Sequence, residues 1–181
     1  QIGLLTFPFQ VTASLLQPLI GLLIDKRPMP YSLPLGMMSS LVGLLLLASA
    51  DSYPLLLLGA GLIGVGSAVF HPEASRVARM AAGGRYGMAQ SFFQVGGNFG
   101  QAIGPLLAAF IVVVRGQGSV AWFALAALVG IIVLWRVGRW YEQQRRAAVA
   151  RGTVSAAMPY STGRTTFILL VLMLLTFTKN I

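Results

Sequence analysis

Phe70-His-Pro-Glu73-Ala-Ser-Arg76-Val-Ala-Arg79-Met-Ala-Ala-Gly83-Gly84-Arg85-Tyr-Gly-Met-Ala-Gln90 is the stretch on which the reading of this chain turns. It closes one apolar run and opens another through a short basic turn. It holds the only histidine of the sequence and one of its four acidic residues. In a hydrophobic chain such groups are costly to bury, so their positions are informative. The stretch reads as the end of one transmembrane helix, a turn, and the start of a second.

Working outward, the composition supports that reading. Only 9% of the 181 residues are charged and the mean hydropathy is +0.79. A soluble domain carries roughly 25% charge. Several apolar runs are about 20 residues long, which is the length that crosses a bilayer as a helix. They are continuously apolar rather than alternating, so a β-barrel is the wrong architecture. The fold class expected is an all-α polytopic membrane protein with the lipid bilayer as its first partner.

The formal net charge of +9 would suggest nucleic acid in a soluble protein. Here the charges fall in loops, and membrane topology explains them instead. No nucleic-acid partner is expected. With no cysteine and one histidine, neither a disulfide nor a metal centre is expected, and no cofactor motif is present. The sequence opens within an apolar run at Gln1 and ends within another at Ile181. We expect an interior piece of a longer chain, with the remainder of that chain as a partner.

The spans expected are about Gln1 to Ile24, Tyr31 to Ala50, Pro54 to Met80, Gly87 to Val114 and Val120 to Gly138. A sixth begins near Thr165. Residues 140–164 are polar and basic and read as a linker. Pro8 and Pro18 suggest kinks in the first span. Trp122 at one end of the fifth span, with Trp140 and Tyr141 at the other, suits interfacial aromatic belts. Lys26 and Arg27, then Arg76, Arg79 and Arg85, then Arg136, Arg139, Arg145, Arg146, Arg151 and Arg164, occupy alternate loops. The loops between hold only Asp51 and Arg115. The positive-inside rule makes the basic side cytoplasmic.

The fourth span separates into three faces. Gln90, Gln94, Asn98 and Gln101 form a row of amides that Pro105 extends. Gly97, Gly100, Gly104 and Ala108 form a small-residue face suited to close helix packing. Phe92, Phe99, Ile103, Leu106 and Phe110 form a bulky face suited to lipid. The amide row supports two readings, interhelical hydrogen bonding and the lining of a cavity, and for the whole row we favour the cavity. In the first span Thr6, Gln10, Ser14, Gln17 and Gly21 recur on one helical face.

His71 and Glu73 are two apart and point to nearly opposite sides of a helix, so direct pairing is not expected. Glu73 reaches Arg76 one turn on. A structural ion pair and a proton site are both open for Glu73; a packing role and a proton site are both open for His71. Lys179 lies about 20 Å into the sixth run at ~1.5 Å per residue, a depth that marks a functional candidate unless the helix ends early. No nucleophile–base pair or phosphate loop stands out, so an intramembrane enzyme is the weaker class of function.

These residues also carry a resemblance. Gly21-Leu-Leu-Ile-Asp25-Lys26-Arg27 resembles the loop between the second and third helices of the major facilitator superfamily. Gly100-Gln-Ala-Ile-Gly104-Pro105-Leu-Leu-Ala108-Ala109 resembles the antiporter signature of the fifth helix. Gly64-Val-Gly66 and Pro72 fit the fourth-helix pattern. Leu16-Gln-Pro18, Pro28-Met-Pro30, Phe70-His-Pro-Glu73, Ser75-Arg-Val-Ala-Arg-Met80, Gln94-Val-Gly-Gly-Asn-Phe-Gly100 and Val120-Ala-Trp-Phe123 look very like the fosmidomycin resistance subfamily.

The resemblance implies a major-facilitator-like helical bundle. Residues 1–139 would be helices two to six of the N-terminal half, 140–164 the central linker, and 165–181 the start of the C-terminal half. It implies proton-coupled efflux of a small drug-like or anionic compound across a bacterial inner membrane, with that compound and protons as partners. Gln10, Gln17, Gln90, Gln94, Asn98, Gln101 and Lys179 would line the cavity, and His71 and Glu73 would be the coupling candidates. Gly21, Asp25, Lys26 and Arg27 would form the conformational loop, and Gly100, Gly104 and Pro105 the antiporter-like motif. Transport of another small metabolite and a non-transporting membrane scaffold are the alternatives. Three departures stand out. Pro28-Met-Pro30 replaces a glycine and two basic residues, Ala108-Ala109 replaces two glycines, and Ala60 stands where the general antiporter pattern has its fourth-helix arginine.

Overall fold

A computed structural model describes the backbone of residues 2–26 and 29–150, and the side chains of residues 7–23, 29–147 and 149–150. Five helical spans follow one another: α1 (Ile2–Lys26), α2 (Ser32–Ser49), α3 (Tyr53–Ala81), α4 (Tyr86–Arg115) and α5 (Ala121–Ala150). No strand occurs among the described residues. Windows within α2, α3, α4 and α5 are long and apolar enough to cross a membrane, and α1 contributes the shorter apolar stretch Phe7–Leu23. The expected class, an all-α polytopic membrane protein, is what the structure has. Residues 1–143 form one compact unit, to which the packing below belongs.

α3 is the axis of that unit, with α1 and α2 packed along it. Small residues explain why they come so close. A Cβ placed on Gly43 would lie 2.6 Å from the Gly59 carbonyl oxygen, and one on Gly59 would lie 3.0 Å from that of Gly43. Gly36 and Gly66 make a second crossing between the same helices, and Gly64 lies against Thr12 and Phe9 of α1. Side-chain hydroxyls then use carbonyls that close approach brings within reach. Ser39 Oγ donates to Leu62 O at 2.8 Å, while Thr12 Oγ1, whose nearer acceptor is Pro8 O of its own helix at 2.6 Å, passes 3.3 Å from Gly61 O. In a bilayer, packing of small residues and hydroxyl bonds of this kind take the place of a hydrophobic driving force between helices.

α1 is continuous helix through both Pro8 and Pro18. In α4, Pro105 has no N–H to donate, and the ladder changes register just beyond it. Residues Ala108–Val112 form a π turn in which the Val113 N–H reaches back to Ala108 O. Gly116, at φ +82°, ends α4, and a 3-10 turn, Gln117–Val120, leads into α5. Gln117 also closes the end of α2, its amide donating to Leu47 O at 2.8 Å and Ala50 O at 2.9 Å. Helix-terminal carbonyls lack intrahelical partners, so this amide satisfies two of them.

α5 packs on α2 through Gly130 against Met37 and Gly138 against Pro30 and Tyr31. Tyr31 also packs against Trp135, with ring centroids 5.3 Å apart and the planes tilted by 47°. The helix continues through Trp140 to Ala150, into the stretch read from sequence as linker. Its last turns carry charge, which ends an apolar pattern without ending a helix. On α2, Leu35, Met38, Val42 and Leu45 form an exposed apolar stripe, the surface expected to meet lipid.

The small-residue face of α4 is not covered by any described helix. Gly97, Gly100 and Gly104 have open space where a Cβ would stand, and no residue of α4 is buried among the described residues. The close approaches among the described residues are at glycines of α2 and α3 and at Gly138 of α5.

Candidate functional site

An open hollow of about 420 Å³ lies between α3 and α4, lined by Phe70 and His71 from one helix and by Phe92, Phe93, Gln94, Gly96, Gly97, Asn98 and Gln101 from the other. The glycines leave room and the amides supply polar edges. A mostly apolar hollow with a few convergent polar groups is the usual form of a small-molecule site. Phe92, which the sequence placed on the lipid face, is one of its walls.

His71 stands between this cavity and a second of about 240 Å³, lined by Phe9, Met37, Ser40, Ile63, Gly66 and Ser67 with Phe70. Its Nδ1 lies 3.0 Å from the Ser67 carbonyl oxygen and 3.4 Å from Ser67 Oγ. A carbonyl only accepts, so in the neutral ring the proton belongs on Nδ1 and the lone pair on Nε2. The imidazole can therefore accept a proton at one nitrogen while the other stays anchored to α3.

Three of the four amides of α4 line the cavity. The fourth, Gln90, does not; its Oε1 accepts from Ser75 Oγ of α3 at 3.2 Å, which ties the two helices near the basic turn. Gln10 is exposed and Gln17 half-buried on α1, and neither reaches the α3–α4 cavity. Gly21 has open space around it. Gly100, Gly104 and Pro105 lie further along α4, outside the cavity wall. The side chains of Asp25, Lys26 and Arg27, and the whole of Lys179, lie outside the described residues.

Glu73 lines neither cavity and is 1% exposed. It therefore shares no site with His71, as two positions two apart on a helix require. Arg76, one turn beyond Glu73, places its guanidinium 6.0 Å from the centre of the Tyr141 ring, and that ring is buried. Beside it on α5, Glu142 accepts a hydrogen bond from Tyr31 at 2.9 Å. Charged and aromatic groups from α2, α3 and α5 thus gather at the basic end. Sequence reading missed Tyr31, Tyr141 and Glu142 because they lie far apart in the chain and no short motif joins them. An acidic residue in a run of arginines was the one available signal.

The profile of the Major Facilitator Superfamily matches residues 1–178. The chain is 52% identical over 179 residues to the fosmidomycin resistance protein of Escherichia coli (strain K12), which covers 99% of this chain and 44% of that protein. It is 46% identical over 144 residues to an uncharacterized MFS-type transporter, YfnC, of Bacillus subtilis (strain 168), covering 80% of this chain and 35% of that one. The chain thus spans less than half the length of either relative. No solved structure matches it at a significant level.

Proposed function

Because the chain belongs to the major facilitator superfamily, we propose that it is part of a secondary transporter of the bacterial inner membrane that exports a small drug-like or anionic compound in exchange for protons. The observation that carries this reading is the α3–α4 cavity, where His71 faces Gln94, Asn98 and Gln101. Amides supply donors and acceptors to a polar solute, and an imidazole can accept a proton at its free ring nitrogen. A 52% identical relative bearing the name fosmidomycin resistance protein supports the anionic class, since fosmidomycin is a phosphonate.

Export by alternating access requires two halves that rock about a central site. In this reading residues 1–139 belong to the first half, 140–164 to the connection between halves, and 165–181 to the start of the second. Lys179 would supply the cation that a phosphonate needs. Glu73, next to Arg76, is the second candidate for the coupling proton.

Uptake into inverted membrane vesicles, driven by an imposed proton gradient and carried by the full-length protein, tests the proposal. Fosmidomycin accumulation should collapse with the gradient and fall in Lys179→Met, while Lys179→Arg retains part of it. Accumulation indifferent to the gradient would remove proton coupling. No accumulation of any small anion by folded protein would favour a scaffold or another substrate.

A further inference from the structure

At the basic end of α3 the helix leaves the bilayer. Arg79 lies about 39 Å along the axis from Tyr53 at ~1.5 Å per residue, whereas the hydrocarbon core is about 30 Å thick. A third hollow opens there, of about 460 Å³, lined by Arg76, Arg79, Met80, Gly83, Gly84 and Tyr86. It is separate from the cavity around His71 and shares no residue with it.

Its lining carries an excess of positive charge. Arg76 and Arg79 stand one turn apart on α3 and both line the hollow. Arg76 is half-buried and held over the Tyr141 ring, while Arg79 is exposed. Arg85 is exposed and follows the glycine turn immediately. From Ala74 to Tyr141 the sequence contains no acidic residue at all. Two acids flank the inner wall, Glu73 buried on α3 and Glu142 beside Tyr141 on α5, so the surplus positive charge rests on the exposed Arg79 and Arg85. The first turn of α4 carries no acid and no side-chain cap, so its helix dipole adds the same sign. Gly83 and Gly84, at φ +54° and +88°, reverse the chain without side chains that would fill the space.

We propose that this hollow binds a phosphate oxyanion at the membrane surface. Guanidinium groups present paired N–H donors that match phosphate oxygens, and basic pockets between helices at the headgroup level take anionic lipid headgroups. The depth of Arg79 fits the phosphodiester of a phospholipid; inorganic phosphate offers the same oxygens from solution.

Native mass spectrometry of the full-length protein, released from nanodiscs of phosphatidylglycerol and phosphatidylcholine, tests the site. Retained phosphatidylglycerol should fall at least fivefold in Arg79→Gln and in Met80→Glu, which leaves every arginine in place and adds a negative charge to the wall. Arg115→Gln, at the other end of α4, should retain lipid as wild type does. A parallel arm measures the thermal shift produced by inorganic phosphate against chloride at equal ionic strength. Phosphatidylglycerol retention without a phosphate shift assigns the lipid headgroup; a phosphate shift abolished by Arg79→Gln assigns the soluble anion. Either supports the site. Wild-type lipid retention and wild-type phosphate response in both wall variants, with native helicity, overturn it, as does an equal loss in Arg115→Gln.

Discussion

The Tyr31 hydroxyl donates to Glu142 Oε2 across 2.9 Å, joining the start of α2 to the basic end of α5. The two residues are 111 positions apart. The same tyrosine packs its ring against Trp135 and closes over Gly138. One side chain thus contributes both an apolar contact and a hydrogen bond to a carboxylate.

Tyr31→Phe separates these contributions. It keeps the ring and removes the hydroxyl. Hydrogen bonds to charged groups contribute about 1.5–3 kcal/mol, and partial exposure places this one at the low end. Denaturant unfolding of the full-length protein should show a loss of about 1–2 kcal/mol for Tyr31→Phe and a larger loss for Tyr31→Ala. Equal stability of Tyr31→Phe and wild type would show that the bond contributes nothing.

The α2–α3 crossing should not tolerate bulk. A side chain at Gly43 meets the Gly59 carbonyl within 2.6 Å, so Gly43→Val should cost about 1–3 kcal/mol or prevent assembly. Gly61, on the same α3 helix, has open space, and Gly61→Ala should be neutral or stabilising by up to about 1 kcal/mol through helix propensity. Membrane yield and melting temperature of the pair provide the comparison. Comparable losses in both would discard the crossing as described.

The cavity predicts a binding defect without a folding defect. Asn98→Leu and Gln94→Leu remove polar edges that line it. Each should weaken binding of a polar anionic substrate about 10- to 100-fold, the equivalent of one hydrogen bond to a charged group. Gln90→Leu, whose amide is engaged by Ser75, should affect stability more than affinity. Calorimetric titration of purified full-length protein, with melting curves alongside, distinguishes these outcomes.

Glu73 tests coupling. If it carries the proton, Glu73→Gln should depress gradient-driven efflux at least tenfold and leave substrate-for-substrate exchange intact. Loss of the protein from the membrane would instead identify a structural partner of Arg76. Unchanged driven efflux would leave His71 as the remaining coupling candidate on α3.

The charge asymmetry predicts that the basic loops face the cytoplasm. A cysteine at Ser155, within the basic stretch after α5, should react with an impermeant maleimide only once the inner membrane is opened. Labelling in intact spheroplasts would reverse the assignment of sides.

Much of this protein is written locally. Continuous apolar runs determined helical spans, because a bilayer leaves backbone groups only intrahelical partners. Gly83-Gly84 and Asp51-Ser52 marked turns through their own conformational preferences and polarity. The amide row of α4 announced a polar face, since 3.6-residue periodicity is a property of the sequence. That His71 and Glu73 would not share a site followed from their spacing.

Tertiary structure decided the rest. Among the described helices it selected Gly36, Gly43, Gly59, Gly64, Gly66 and Gly138 as the close approaches, because a small residue matters only where another segment arrives. It set Gln90 apart from Gln94 and Asn98 by bringing Ser75 to it. It set Phe92 at the rim of the α3–α4 hollow while leaving the ring 70% exposed. It gathered Tyr31, Arg76, Tyr141 and Glu142 at one end of the bundle, a juxtaposition that depends on how three helices pack rather than on periodicity within any of them.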